Sequence, residues 1–170
     1  MSTFFSTERD KRFMKEALLL AKEAENEGEV PVGAVIVRGD EIIGKGRNRR
    51  EASGNALAHA EIEAIDAACK TVGDWRLSGC ELYVTLEPCP MCAGAIINAR
   101  IERVIYGAFD DKAGSAGSLF DMFVLPYNHH PKSCSGVLCE ECSAILSDFF
   151  ENVRSSDGDK SPMAERALDG

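Results

Sequence analysis

Leu82-Tyr83-Val84-Thr85-Leu86-Glu87-Pro88-Cys89-Pro90-Met91-Cys92-Ala93 reads as a strand running into a helix. Glu81 to Leu86 is the strand and Cys89 to Ala99 the helix. Pro90 falls at the helix start, where its missing N–H does no harm. Cys89 and Cys92 are three residues apart at that start, so both sulfurs face one side. A helix N-terminus favours anions and eases thiol deprotonation. Upstream, a second helix is predicted from about Ala58 to Lys70, and it opens on His59-Ala60-Glu61.

One His, two Cys and one Glu supply three ligands for a zinc ion and a carboxylate that does not ligate it. A structural zinc site is closed by four protein ligands, whereas a catalytic one keeps three and leaves a position to water. The pattern reads as an open site that activates water at neutral pH. Two thiolates and a neutral imidazole bring the site near zero net charge, which weakens the metal as a Lewis acid. A base is then needed beside the water. Glu61 fills that place, because residues two apart at a helix start point in different directions. Glu61 is expected to take a proton from that water. A redox Cys-x-x-Cys pair or half a structural zinc site would need neither His59 nor Glu61. His-x-Glu followed by Pro-Cys-x-x-Cys resembles the signature of zinc-dependent nucleobase deaminases, and the resemblance implies that Glu61 passes the water's proton to a ring nitrogen and another to departing ammonia.

The 170 residues suffice for one domain, and 45% are apolar. No apolar run approaches the roughly 20 residues that span a bilayer. Met1 to Arg12 lacks the features of a signal peptide, so a cytoplasmic protein is expected. Seven cysteines in that setting point to reduced thiols rather than a disulfide framework. The net charge of -9 argues against a non-specific nucleic-acid binder. A local basic patch of Lys45, Arg47, Arg49 and Arg50 surrounds Asn48, and reads equally as an RNA contact or a solvated loop.

Outward from the motif, Ser6 to Glu27 carries a helical apolar stripe of Phe13, Met14, Ala17, Leu18, Ala21 and Ala24, stopped by Gly28. Val32 to Val37 and Glu41 to Asn48 form a hairpin through Arg38-Gly39-Asp40. Glu51 to Leu57 is a polar loop. Arg103 to Phe109 is a strand, Gly114 to Phe123 a short helix, and Lys132 to Ser135 a short strand. Val137 to Asn152 is a final helix. This order implies a mixed sheet with helices on both faces. Residues 1–154 form the domain, and 155–170 a polar tail expected to be disordered. Cys134, Cys139 and Cys142 read as small buried side chains rather than a second metal site. His129 and His130 read as surface loop residues.

The chain resembles the bacterial tRNA-specific adenosine deaminases from about Phe13 to Arg154. The matching stretches include Glu29 to Val35, Ala58 to Ile62, Leu82 to Ala95, Tyr106 to Asp110, Gly117 to Leu119, Asn128-His129, and Leu146 to Phe150 with Arg154. The extended Glu-Pro-Cys stretch and the Asp-Phe-Phe ending are more specific than the zinc ligands. The resemblance implies a cytidine-deaminase-like three-layer α/β/α fold with a mixed sheet of about five strands. It implies a homodimer with one zinc per subunit, held by His59, Cys89 and Cys92, with Glu61 catalytic. The substrate would be the wobble adenosine of a tRNA anticodon stem-loop, typically an arginine tRNA, converted to inosine. Asn48 would hydrogen-bond the flipped base, with Ala60 also on the substrate. Asp110, Lys112 and Asn128 would line the anticodon-loop groove, while Phe150 and Arg154 would meet neighbouring nucleotides, Phe150 by stacking. The residues alone leave Phe150 open between stacking and core packing.

The chain departs from the family at Ser53 to Leu57, where Asp-Pro-Thr is common, and at Glu151, where a basic residue is frequent. Two other readings compete. A deaminase of a free base or nucleotide, such as guanine or a cytosine compound, would share the zinc motif but not the Asp-Phe-Phe ending. A non-enzymatic RNA-binding subunit with a structural zinc would have no use for Glu61.

Overall fold

In a computed structural model, residues 6–156 are described. The chain runs α1 (Glu8–Asn26), β1 (Gly33–Arg38), β2 (Glu41–Arg47), α2 (Arg50–Ser53), α3 (Ala60–Val72), β3 (Cys80–Leu86), α4 (Pro90–Asn98) and β4 (Arg103–Ala108). A 3-10 turn at Met122–Val124, then β5 (Lys132–Cys134) and α5 (Cys139–Ser156) complete it. The five strands form one sheet in the order β2-β1-β3-β4-β5. β1 is antiparallel to both β2 and β3, while β3, β4 and β5 run parallel.

Both faces of the central strands are covered, which is why they read as nearly continuous apolar runs. Ala34, Ile36, Leu82, Val84, Val104 and Tyr106 face α3 and α4. Val35, Val37, Tyr83 and Ile105 alternate onto the face packed by α1 and α5. The result is a three-layer α/β/α sandwich: the mixed sheet with helices on both faces that the element order implied, with the five strands that the resemblance implied.

The α3 helix lies against β2 at unusually close range. A Cβ on Gly44 or Gly46 would overlap the α3 backbone at Ala64 and Ala60, respectively. Glycines two apart on one strand face, opposite alanines on the helix, make this approach possible. It brings the first turn of α3 down to the sheet, where the functional side chains are.

Several boundaries differ from expectation. The predicted polar loop from Glu51 begins as one helical turn, α2. Its orphan N–H groups are capped from a distance: the Glu29 carboxylate accepts from the backbone of Glu51 at 3.2 Å and Ala52 at 2.7 Å. The helix predicted at Gly114 to Phe123 is absent. The segment is a set of turns closed by an Ala116–Asp121 bridge, and only Met122–Val124 is helical. Glu87 holds those turns through side-chain bonds, an organisation without periodicity. The last helix starts at Cys139 and includes Ser155 and Ser156, which the expected tail had claimed. The rest of that tail lies outside the described residues. No helix among the described residues is long and apolar enough to cross a membrane.

Candidate active site

The site lies beyond the carboxyl ends of the parallel strands β3 and β4, at the point where β1 runs the other way. This is where open α/β sheets place their ligands. His59 is the N-cap residue of α3 and Cys89 that of α4, and neither side chain caps its own helix. They turn toward each other instead. His59 Nδ1 lies 3.7 Å from Cys89 Sγ and 3.6 Å from Cys92 Sγ. Ligands of a tetrahedral zinc at its usual bond lengths stand about 3.5 Å apart, so the three atoms fit the ion. Among the described residues this is the one group of three or more His, Cys, Asp or Glu close enough to hold a metal. Cys134, Cys139 and Cys142 make no such group.

The electrostatics agree with the donor set. Cys89 is pulled down to about 4, first by its bond with Cys92 and then by His59, against the effect of burial. Cys92 is pushed up, first by that same bond and by burial. The pair sheds one proton readily and resists losing the second. A divalent cation between them reverses that resistance, because coordination deprotonates a thiol outright. Both sulfurs sit at the N-terminus of α4, which adds to the effect.

Glu61 sits in the first turn of α3 and is only 4% exposed. Burial raises its carboxyl to about 7, and the Cys89 charge adds to that rise. Its backbone bond, His59 and Cys92 oppose it.

A cavity of about 410 Å³ opens on this centre. His59, Ala60, Glu61 and Cys89 line its floor end, and Val30, Val32, Leu86 and Leu146 give apolar walls. Of the other expected substrate residues, Asn48, Asp110, Lys112 and Phe150 also line it. Asn48 is buried and oriented by two bonds, Nδ2 to the Val30 carbonyl at 3.2 Å and Oδ1 from the Arg50 N–H at 3.3 Å. Phe150 is half-buried on the cavity wall, while its neighbour Phe149 takes the core position. Asp110 spends Oδ1 on its own loop, accepting from the backbone of Lys112 at 2.9 Å and Ala113 at 3.1 Å. Asn128 and Arg154 are exposed and lie outside the cavity lining.

The basic patch around Asn48 is partly spent on α1. Arg47 pairs with Glu27 at 2.7 Å and Glu23 at 3.6 Å, and Lys45 meets Glu16 at 3.9 Å. Arg50 is the member of the patch that lines the cavity. His129 and His130 brace their loop, bonding the carbonyls of Ile101 at 2.6 Å and Phe123 at 2.9 Å.

Glu29, Glu87 and Phe109 were not assigned to the site from sequence, and Arg50 only as part of a patch left open between RNA contact and solvated loop. Glu87 is 2% exposed, and none of its bonds among the described residues is to a cation. It accepts from the backbone of Asp110 at 3.1 Å and from Ala116 and Ser118 at 3.0 Å each, and from the Ser118 hydroxyl. It thereby ties the turn before Cys89 to the loop that carries Asp110 and Lys112. A charge placed between an apolar strand and Pro88 is the signal that could have found it, since such a residue needs buried donors.

Residues 7–108 match the family of the cytidine and deoxycytidylate deaminase zinc-binding region. Over 147 residues the chain is 52% identical to the tRNA-specific adenosine deaminase of Bacillus subtilis (strain 168), covering 86% of this chain and 91% of that protein. The chain belongs to the tRNA-specific adenosine deaminase family. As a member it is a zinc-dependent deaminase, and the His59, Cys89 and Cys92 group fits one Zn²⁺. A solved structure from work on A-to-I editing by tRNA:A34 deaminases matches with a TM-score of 0.77 and 46% identity, covering 79% of this chain and 99% of that one. The guanine deaminase of Bacillus subtilis shares the fold at a TM-score of 0.58 and 36% identity, covering 89% of this chain and 97% of that one.

Proposed function

We propose that this deaminase converts the wobble adenosine, position 34 of a tRNA anticodon loop, to inosine, with an arginine tRNA as substrate. The observation that supports this most is the likeness to a tRNA:A34 deaminase, which exceeds the likeness to guanine deaminase in both TM-score and identity. The overall reaction breaks the C6–amine bond of adenine, forms a C6–oxygen bond from water and releases ammonia.

Bound by His59, Cys89 and Cys92, zinc would supply the Lewis acidity that makes water a nucleophile near neutral pH. Glu61 is the proton carrier in this reading. Its carboxylate takes a proton from the attacking water and delivers it to N1 of the adenine ring. It then moves a proton to the departing amine. Asn48 keeps one N–H and one lone pair beyond its two structural bonds, enough to hold the edge of the flipped base. Ala60 contributes a backbone N–H from the first helical turn, a group no helix satisfies internally. Phe150 stacks on a neighbouring base, and Lys112 and Arg50 offer charge to the phosphates. Asn128 and Arg154, outside the cavity, are assigned to the stem-loop beyond the reacting nucleotide. Residues 1–154 constitute the deaminase domain.

The protein is also proposed to act as a homodimer in the cytoplasm. Leu119, Phe120, Val124 and Tyr127 are exposed along one loop segment, the kind of apolar surface that a second copy covers.

The test offers zinc-loaded protein an arginine-tRNA anticodon stem-loop with adenosine at the wobble position. Parallel reactions contain free adenosine, guanine or cytidine. Inosine from the stem-loop, with the free compounds untouched, is the expected result. Ammonia from a free base, with the stem-loop unchanged, would move the enzyme to nucleotide metabolism.

A further inference from the structure

Phe109 lines the cavity yet keeps 51% of its surface exposed. Its position is fixed from behind. The ring meets Tyr106 edge to face at 5.7 Å and 86°, and the Tyr106 hydroxyl donates to the Ala116 carbonyl at 3.2 Å. The next peptide is pinned as well, by the bond from the Asp110 N–H to Glu87 at 3.1 Å. Phe150 is braced in the same manner, edge to face against Phe149 at 5.4 Å and 78°. Two aromatic rings, one just after β4 and one in α5, therefore reach one cavity, each with a second ring behind it.

The cavity is also larger than its reacting base requires. The ten heavy atoms of adenine leave space in about 410 Å³ even at the roughly 30 Å³ that a water molecule occupies in the liquid. An exposed, rigidly held aromatic face at the edge of such a space is the surface on which an unstacked base settles.

We propose that Phe109 is a second stacking platform, taking the base of a nucleotide that flanks the reacting adenosine. The inference rests on the reading of the substrate as an anticodon loop. Stacking carries no charge, so this contact suits an acidic protein whose basic residues are partly paired with its own acids.

The test compares zinc-loaded full-length wild type, Phe109→Ala, Phe109→Leu and Phe109→Trp on the stem-loop. Each is also given two stem-loops in which one neighbour of the reacting adenosine is abasic. Phe109→Ala should raise KM about tenfold and leave kcat within about twofold. Phe109→Leu keeps the apolar bulk and should lose most of the same affinity, while Phe109→Trp should retain it. On one of the abasic stem-loops, wild type should fall to the level of Phe109→Ala, and the substitution should add nothing further. An unchanged KM in the alanine and leucine variants would overturn the stacking role while leaving the substrate reading intact. So would an equal loss on the intact and both abasic stem-loops. Failure of wild type to convert any stem-loop would overturn both.

Discussion

In the proposed mechanism, Glu61 and the three candidate ligands divide the chemistry, although His59 and Glu61 stand only two positions apart in sequence. His59 and Cys89 leave their helix ends uncapped and turn their side chains to each other, so ligation replaces the usual role of an N-cap residue. Glu61, two residues on, is buried beside them without belonging to the ligand group. Two predictions separate these roles. Glu61→Ala should keep one zinc per chain by atomic absorption and lose about 10²–10⁴-fold in kcat. Cys92→Ala should lose the metal itself. Equal zinc loss in both variants would contradict the division. The three-ligand group and the carboxylate proposed as its base stand out in sequence because their spacing is local and their residue types are rare in that combination. Glu29 and Glu87 do not, although both stand in plain view. Their partners are backbone N–H groups over 20 positions away in the chain, and no local pattern announces a carboxylate that will serve a distant loop.

At the scale of elements, α3 is set by the glycines beneath it. Gly46→Ala would drive a Cβ into the Ala60 carbonyl, the residue between His59 and Glu61. A loss of about 1–3 kcal/mol in stability is expected from such overpacking, together with weaker zinc retention. Denaturant unfolding with metal analysis would check both, and unchanged values would show that α3 can lift without cost to the site. At the opposite end of the sheet, α1 is clasped to β3 and β4 through the buried Asp10. Arg103 grips it by two bonds, 2.8 and 3.0 Å, and the Tyr83 hydroxyl donates at 3.0 Å. Burial alone would raise this carboxyl. Arg103, with Thr7 and Tyr83, overrides burial and brings it down to about 2. A lowered folded-state value means stability that is present above the unfolded carboxyl range and lost as pH falls from about 4 toward 2. The contribution is about 2 kcal/mol. Asp10→Asn should therefore be less stable than wild type at pH 7, with a gap that narrows toward pH 2. A gap independent of pH would refute the assignment. The helices and strands were legible from periodicity and turn residues. The segment from Gly114 to Phe123 was misread as a helix because side-chain bonds to Glu87 organise it, and those leave no period in the sequence.

Across the whole molecule the net charge is -9, Arg47 and Lys45 of the patch around Asn48 are paired with acids of α1 and its C-cap, and few cations reach the cavity. Arg50 and Lys112 are those that line the cavity. Binding should then depend only shallowly on salt. Two or three phosphate contacts to an unpaired loop correspond to a slope of about -2 in log K against log salt. A slope steeper than about -5 would mean a basic surface elsewhere on the protein. The sequence made both the acidity and the local patch visible, but not that α1 packs against the patch and neutralises half of it. That fact belongs to the tertiary fold. Deamination of an adenosine presented in an RNA loop is expected to run through the buried Glu61 carboxylate beside the three-ligand centre. The most direct measurement is a time course of inosine at the wobble position of the stem-loop, comparing wild type with Glu61→Ala at equal, measured zinc content. Full conversion by wild type and almost none by the variant is the predicted result. Conversion at comparable rates by both, or by neither, would contradict it.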